Sequence, residues 1–338
     1  MKALQVMSPN NLKLIEKEKP TIENDNDVII KVMAAGVCGS DVSILKGHNP
    51  IATYPRILGH EVTGQIVEIG ANVQNIKIGD HVIISQTESC GKCYACLHGR
   101  SNVCADLKVR GVNIDGGYQQ YFKLPATSVY KLDLNLDYKK AVLIEPYTIS
   151  FHALSRGRVV KDDLLLINGA GALGFSLLTV AKSLKCKIIS IDIDQEKLDS
   201  ALNAGADYIF NGNDPKLKEK ILSVSDGYGP TVCIDSVCNT KSVEFLLDIV
   251  GNAGRIVTMG FDERPSNIAQ LLITKKEIDI IGSRLQYENF ENVIDLFETH
   301  QIDPSSMISH ILDFREVDKI LNTINSKNYK KIILDFDI

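Results

Sequence analysis

Leu164-Leu165-Leu166-Ile167-Asn168-Gly169-Ala170-Gly171-Ala172-Leu173-Gly174 runs from an apolar strand through a glycine-rich turn into a helix. The turn reads Gly-x-Gly-x-x-Gly. Gly169 serves the tight turn, Gly171 lets the backbone approach a pyrophosphate, and Gly174 lets the helix pack close to the strand. Backbone N–H groups at the helix start then face the phosphates. Glycine-rich turns are common, so the pattern is weak alone. Asp192 strengthens it, because it ends the next strand, Ile188-Ile189-Ser190-Ile191, at the expected distance of about 20 residues. A carboxylate there accepts hydrogen bonds from an adenosine ribose and repels a 2′-phosphate. Asp194 is the better cap for the following helix, since it directly precedes Gln195-Glu196-Lys197. The expected cofactor is NAD rather than NADP, with Gly169, Gly171, Ala172, Leu173, Gly174, Asp192 and Lys197 as its predicted contacts.

Outward from this turn, apolar strands and helical stretches alternate. A helix over Ala172 to Leu184 and another over Gln195 to Ala204 are expected. Tyr208-Ile209-Phe210, Val232-Cys233-Ile234, Arg255 to Met259 and Ile278 to Ile281 read as further strands. Six strands with intervening helices predict a doubly wound parallel sheet. Residues 1 to about 145 have a different texture: short β-type runs such as Gln65 to Gly70 and Asp80 to Ile84, broken by Gly, Pro and Asn, which predict an all-β core. Beyond Gly282, Phe290, Val293, Ile294, Leu296 and Phe297 make an amphipathic stretch. The run Lys331 to Phe336 reads as a strand rejoining the β-rich part.

That β-rich part carries two groups of metal-ligand residues. Cys90, Cys93, Cys96 and Cys104 follow the spacing Cys-x2-Cys-x2-Cys-x7-Cys. Four thiolates so close can surround one tetrahedral zinc and leave no open position, which is a structural role. Disulfides would need an oxidising compartment. The chain opens Met1-Lys2-Ala3-Leu4-Gln5-Val6, without an apolar signal segment, and no run approaches a membrane-spanning length. A cytoplasmic protein with a four-thiolate zinc is therefore expected. Cys186, Cys233 and Cys238 have no companion at ligand spacing and read as small core residues. Cys38, in Gly36-Val37-Cys38-Gly39-Ser40-Asp41, and the pair His60-Glu61 form the second group. A lone cysteine and histidine are ordinarily a buried thiol and a hydrogen-bonded imidazole. Beside a closed zinc lobe, a thiolate, an imidazole and a carboxylate read as an open zinc site able to do chemistry.

The chain has 338 residues, enough for about two domains. An apolar fraction of 44% with 23% charged residues is that of an ordinary globular protein. The net charge of −5, with no basic, aromatic-rich stripe, argues against nucleic acid and acidic membranes as partners.

The stretch Gly59-His60-Glu61-x2-Gly64-x5-Gly70-x2-Val73, with the four-cysteine lobe, resembles the zinc-dependent medium-chain dehydrogenase/reductase family over the whole length. Cys38-Gly39-Ser40-Asp41, Ile144-Glu145-Pro146 and Gly282-Ser283-Arg284 are most similar to its sorbitol, threonine and sugar-acid dehydrogenase branch. Gly47-His48-Asn49-Pro50, Tyr54-Pro55-Arg56 and Ile144 to Ile149 are similar to the bacterial L-galactonate oxidoreductase and starvation-sensing RspB type.

The resemblance implies a GroES-like β-barrel catalytic domain, residues 1–148 and 286–338, with a zinc lobe at 88–106. An inserted doubly wound Rossmann domain would span 149–285, with the active site in the cleft between the two. It implies two zincs per chain, with Cys38, His60 and Glu61 as catalytic ligands and Glu145 as a fourth ligand or the holder of a zinc-bound water. Ser40 would carry off the substrate proton, without the histidine that liver-type alcohol dehydrogenases have where Ser43 stands. Ser40 could equally be a turn serine bonding its own backbone. Arg284, and less securely Arg56, would contact substrate. Lys331 would reach the cofactor pyrophosphate or lie solvated on an edge strand.

The implied activity is NAD-dependent oxidation of a secondary alcohol of a polyol or sugar acid, by a homodimer or homotetramer. The alternatives are a threonine or simple-alcohol dehydrogenase of the same family, or a binding protein on this fold without turnover.

Overall fold

The computed structural model describes residues 1–326 and 329–337. It divides into two compact units, Met1–Glu145 with Phe290–Ile338, and Pro146–Asn289. The first unit opens with β1 (Lys2–Ser8), β2 (Asn11–Glu16), β3 (Asp27–Val37), α1 (Gly39–Leu45) and β4 (Arg56–Ile57). It continues with β5 (Glu61–Ile69), β6 (His81–Ile84), β7 (Thr87–Glu88), α2 (Tyr94–Leu97) and β8 (Lys108–Val109). Then come β9 (Tyr121–Pro125), β10 (Val129–Leu132), α3 (Tyr138–Ala141) and the start of α4 (Ile144–Arg156).

In the second unit strand and helix alternate. The order is β11 (Leu164–Asn168), α5 (Ala172–Leu184), β12 (Lys187–Asp192), α6 (Gln195–Asn203), β13 (Tyr208–Asn211) and α7 (Leu217–Ser223). β14 (Val232–Asp235), α8 (Thr240–Ile249), β15 (Arg255–Thr258), α9 (Gln270–Lys276) and β16 (Asp279–Gly282) follow. The chain then rejoins the first unit through α10 (Phe290–Glu298), β17 (Ile308–Asp313), α11 (Val317–Ser326) and β18 (Lys331–Asp335).

β3 is the spine of the first unit. Val28, Ile29, Ile30, Val32, Ala34 and Ala35 are all fully buried, so the strand is covered on both faces and reads as a continuous apolar run. The main sheet runs β10-β6-β5-β3-β18-β17, with β9 also pairing β3. Register shifts between β3 and β5 bend the pair at Ile29/Ile30 and Val32/Ala34, as bulges do in strongly curved sheets. The core gathers Leu4, Val28, Ile30, Ile44, Val62, Ile66 and Ile332, each such side chain contributing about 1.5–3 kcal/mol on burial. β18 lies between β3 and β17. The edge-strand expectation for Lys331 is therefore corrected: it sits on an interior strand and is 5% exposed.

The second unit is a six-stranded parallel sheet in the order β13-β12-β11-β14-β15-β16, as the alternating pattern predicts. Leu165, Leu166 and Ile167 of its first strand are fully buried. The order reverses between β11 and β14, and the carboxyl ends of strands at such a switch point form the crevice where open α/β sheets take ligands. Among the described residues no helix is long and apolar enough to cross a membrane.

Candidate active site and cofactor loop

The bend out of β3 builds the first cluster. β3 and β5 pair antiparallel with Gly36 opposite Glu61, which brings Cys38, two residues on, beside His60 and Glu61. One donor atom from each of these three lies within 4.8 Å of the others. His60 and Glu61 are buried, and so is Glu145, in the first turn of α4. Gly59, just before His60, has φ +95°, and a Cβ there would strike the Tyr118 ring at 2.2 Å. Only glycine can make this entry to the ligand pair.

The electrostatics show what the cluster lacks. Glu61 takes both Oε1 and Oε2 contacts from Lys331 Nζ, at 2.6 and 2.9 Å. Burial pushes the Glu145 carboxyl up to about 7; Glu61 adds to this, while His60 and Lys331 pull it back. Burial also opposes charge on the His60 imidazole, but the neighbouring Asp41 and Cys38 hold its pKa well above the ordinary value. Its Nδ1 is buried without a hydrogen-bond partner. Several anionic groups thus share one buried lysine, an arrangement that is costly unless more positive charge is supplied. A thiolate, an imidazole and a carboxylate converging on one point, with too little cation among them, fit zinc.

Asp41 is a residue to which the sequence assigned no role. It is 2% exposed. Its Oδ2 accepts the Cys38 N–H at 2.9 Å and its Oδ1 accepts the Gly59 N–H at 3.4 Å. Asp41 Oδ1 also lies 3.6 Å from His60 Nδ1. A carboxylate in that position orients a ligating imidazole and fixes its tautomer. The signal in the sequence was an acidic residue three positions after Cys38, the helix-start pattern in which the side chain reaches back to the preceding N–H.

Cys90, Cys93, Cys96 and Cys104 also converge within 4.8 Å, all as free thiols. Cys93 Sγ stands 3.5 Å from Cys96 Sγ and 3.8 Å from Cys104 Sγ. Sulfurs on a tetrahedral zinc at about 2.3 Å are about 3.8 Å apart. The N–H groups of Cys90 and Asp106 both point at Cys104 Sγ, at 3.3 Å. Backbone donors from Ala105 and Cys96 draw the Cys93 thiol down to about 6. Burial and the neighbouring Cys93 and Cys104 push the Cys96 thiol up to about 11, so it is the spacing of the four sulfurs that fits a closed structural zinc.

In the second unit, Gly169 has φ +103°, and a Cβ on Gly174 would lie 1.8 Å from the Gly169 carbonyl oxygen. The helix start and the turn touch backbone to backbone. A Cβ on Gly171 would meet nothing within 4 Å, so its face of the turn is open. Ala172 and Leu173 form the first turn of α5. Asp192 Oδ2 accepts the Ala170 N–H at 2.7 Å and its Oδ1 accepts the Asp194 N–H at 3.0 Å. Asp194 caps α6 through the Glu196 N–H. An open glycine turn, free helix N–H groups and a carboxylate ending the next strand fit the pyrophosphate and ribose of NAD.

The remaining predicted residues stand as follows. Ser40 is half-buried in the first turn of α1. Arg56 pairs with Asp115 at 3.0 Å and donates to Thr53 Oγ1 at 2.5 Å. Arg284 is exposed, with its guanidinium 5.8 Å from the Phe261 ring centroid. Lys197 is exposed and 3.7 Å from Asp194.

Residues 24–134 match the model of the alcohol dehydrogenase GroES-like domain, and residues 172–299 match that of the zinc-binding dehydrogenase. The starvation-sensing protein RspB of Escherichia coli K12 is 37% identical over 99% of both chains. A sorbitol dehydrogenase of Halalkalibacterium halodurans is 31% identical over 94% of both. The crystal structure of an RspB alcohol dehydrogenase from E. coli CFT073, complexed with NADH, superposes with a TM-score of 0.93, at 36% identity over 99% of each chain. With a GroES-like unit, a parallel nucleotide-binding sheet and two zinc-type donor sets in one chain, this protein belongs to the zinc-dependent medium-chain dehydrogenase/reductase family, as an NAD-dependent alcohol or polyol dehydrogenase.

Proposed function

We propose that the chain oxidises a secondary hydroxyl of a polyol or sugar acid, with Cys38, His60 and Glu61 holding the catalytic zinc. The observation that carries this is the convergence of those three donors within 4.8 Å, His60 and Glu61 buried and Cys38 half-buried. When bound, zinc lowers the pKa of an alcohol oxygen and NAD accepts the hydride. The chain's own residues do the rest. Asp41 Oδ1, 3.6 Å from His60 Nδ1, favours a proton on that nitrogen, which would leave Nε2 for the metal. Glu145, buried in the first turn of α4, would be a fourth ligand or would hold a metal-bound water. Ser40, two residues from Cys38 and half-buried in the first turn of α1, takes the alcohol proton, and with Ser43 in place of a histidine the onward route runs through water or the cofactor ribose.

The substrate class follows from the polarity of these groups. A carboxylate, Glu145, stands beside the metal donors, and an arginine, Arg284, follows the last Rossmann strand. Sites built of buried donors and acceptors reject analogues lacking the partner hydroxyls by up to about 10⁴. Arg56 is engaged by Asp115; Arg284, from its place just after the last Rossmann strand, is proposed as the partner for a substrate carboxylate.

The test is NADH appearance across polyols, aldonic and uronic acids, ethanol and butanol. A sugar acid or polyol should give the highest kcat/KM. Arg284→Ala should weaken a sugar acid at least about tenfold more than the matching uncharged polyol, the difference of one charged hydrogen bond. Equal losses on both would leave a neutral polyol as the substrate. Faster turnover of ethanol or butanol than of every polyhydroxy compound would defeat the proposal.

A further inference from the structure

Tyr118 is buried, and its ring and hydroxyl touch the segments that carry Cys38, His60 and Glu61. The ring packs on Gly59, the residue before His60. The hydroxyl lies 2.8 Å from the carbonyl oxygen of Gly36, two residues before Cys38, and 2.9 Å from Asp41 Oδ2. Its own backbone is fixed from both sides: Tyr118 N–H donates to Leu58 O at 3.0 Å, and its carbonyl accepts from Leu4 N–H at 2.8 Å. The phenol is therefore clamped between the end of β3, the start of α1 and the entry to β5.

We propose that Tyr118 is a positioning residue for the metal site, its hydroxyl holding the Asp41 carboxylate so that Oδ1 faces His60 Nδ1. The argument is geometric. Asp41 Oδ2 accepts the Cys38 N–H and shares the single Tyr118 hydroxyl proton with the Gly36 carbonyl, which leaves Oδ1 for the Gly59 N–H and the imidazole. Two donors on one oxygen fix the carboxylate plane, and the plane fixes where the imidazole can stand. Without the hydroxyl the carboxylate would keep only the Cys38 N–H on Oδ2 and the long, 3.4 Å bond from the Gly59 N–H on Oδ1. Burial, with Asp41 and Glu61 nearby, raises the phenol's pKa well above its ordinary value. A phenylalanine would pack the same ring on Gly59 and supply no such donor.

The inference rests on the zinc-site reading, and the test separates the two. Zinc release from the holoenzyme to a chromogenic chelator is followed alongside total zinc and melting temperature. In wild type, one of two zincs should leave first. In Tyr118→Phe that zinc should leave about 10-fold faster, within the range for losing an outer partner of a ligating histidine, while the second zinc leaves at the wild-type rate. Cobalt substitution gives an independent readout, since the visible ligand-field bands should shift in Tyr118→Phe if the donor geometry relaxes. Asp41→Asn should speed release further, and adding Tyr118→Phe to it should change the rate by less than about twofold, because residues acting through one partner are non-additive.

An unchanged or slower release in Tyr118→Phe, with two zincs in wild type, overturns this proposal alone. Equal acceleration of both zincs marks a general loosening of the fold and also overturns it. A full effect persisting in the Asp41→Asn background routes the hydroxyl through Gly36 and overturns the Asp41 path. A wild type without a second, labile zinc overturns the site reading and this proposal with it.

Discussion

Asp192 spends its carboxylate on two backbone amides, Ala170 on the glycine turn and Asp194 at the next helix start. Each oxygen retains a lone pair, so the side chain can fix the turn and still accept from ribose hydroxyls. Replacement by alanine removes both functions. NAD should bind about 10–100-fold more weakly, matching about 1.5–3 kcal/mol for hydrogen bonds to a charged group. Preference over NADP should fall too, since the charge that repels a 2′-phosphate is gone. Fluorescence titration of both dinucleotides reads this directly, and a wild type that binds the two equally would show that Asp192 does not select. Asp192 was legible because its position follows from a spacing along the chain. Asp41 was not, because its role exists only once β3 turns into α1 and Gly59 arrives from elsewhere. The solvated edge-strand alternative for Lys331 failed for a related reason: a lysine opening a strand looks solvated until a buried Glu61 is found beneath it.

At the scale of elements, the six parallel strands and the helices between them were readable from pattern alone, because each strand is a short, mainly apolar run between helical stretches. Two helices that place site residues were not. Cys38 to Asp41 reads as a turn, since glycine and serine are poor helix formers, yet Asp41 reaching back to the Cys38 N–H starts α1 there. Glu145-Pro146 reads as a motif, but proline is tolerated in a first turn, where its missing N–H has no partner to lose, and α4 begins at Ile144. The contact between α5 and the glycine turn is the most exacting element junction. Gly174→Ala would put a Cβ 1.8 Å from the Gly169 carbonyl oxygen. Backbone on both sides cannot yield, so the helix must shift, at about 1–3 kcal/mol or more for overpacking. The variant should lose NAD affinity at least about 10-fold while keeping its full zinc content. Unaltered NAD binding would mean that the helix start does not hold the pyrophosphate.

Across the whole chain, two donor sets that both fit zinc differ in how they are closed. The four-thiolate lobe encloses its metal with sulfur alone and is fastened to the barrel by Arg110, which is 1% exposed. Arg110 donates to the carbonyls of Ser85 and Thr87, to Ser128 Oγ and to Glu88 Oε1. These bonds tie the strands on either side of the lobe, so its metal should leave only when that region opens. The Cys38 set offers three donors and needs a position for substrate, so its metal is exposed to exchange. A chelator added gradually to the holoenzyme should therefore abolish turnover at the loss of about one zinc per chain, with the near-ultraviolet circular dichroism and melting temperature little changed. Loss of the second should bring a separate drop in melting temperature, because a structural zinc contributes folding free energy outright. Cys38→Ser should purify with about one zinc and no activity, whereas Cys93→Ser should purify poorly folded. Elemental analysis, activity and melting curves on the same chelation series decide the matter. Two zincs lost in parallel, or no more than one in a fully loaded wild type, would refute a division of labour between an open and a closed site.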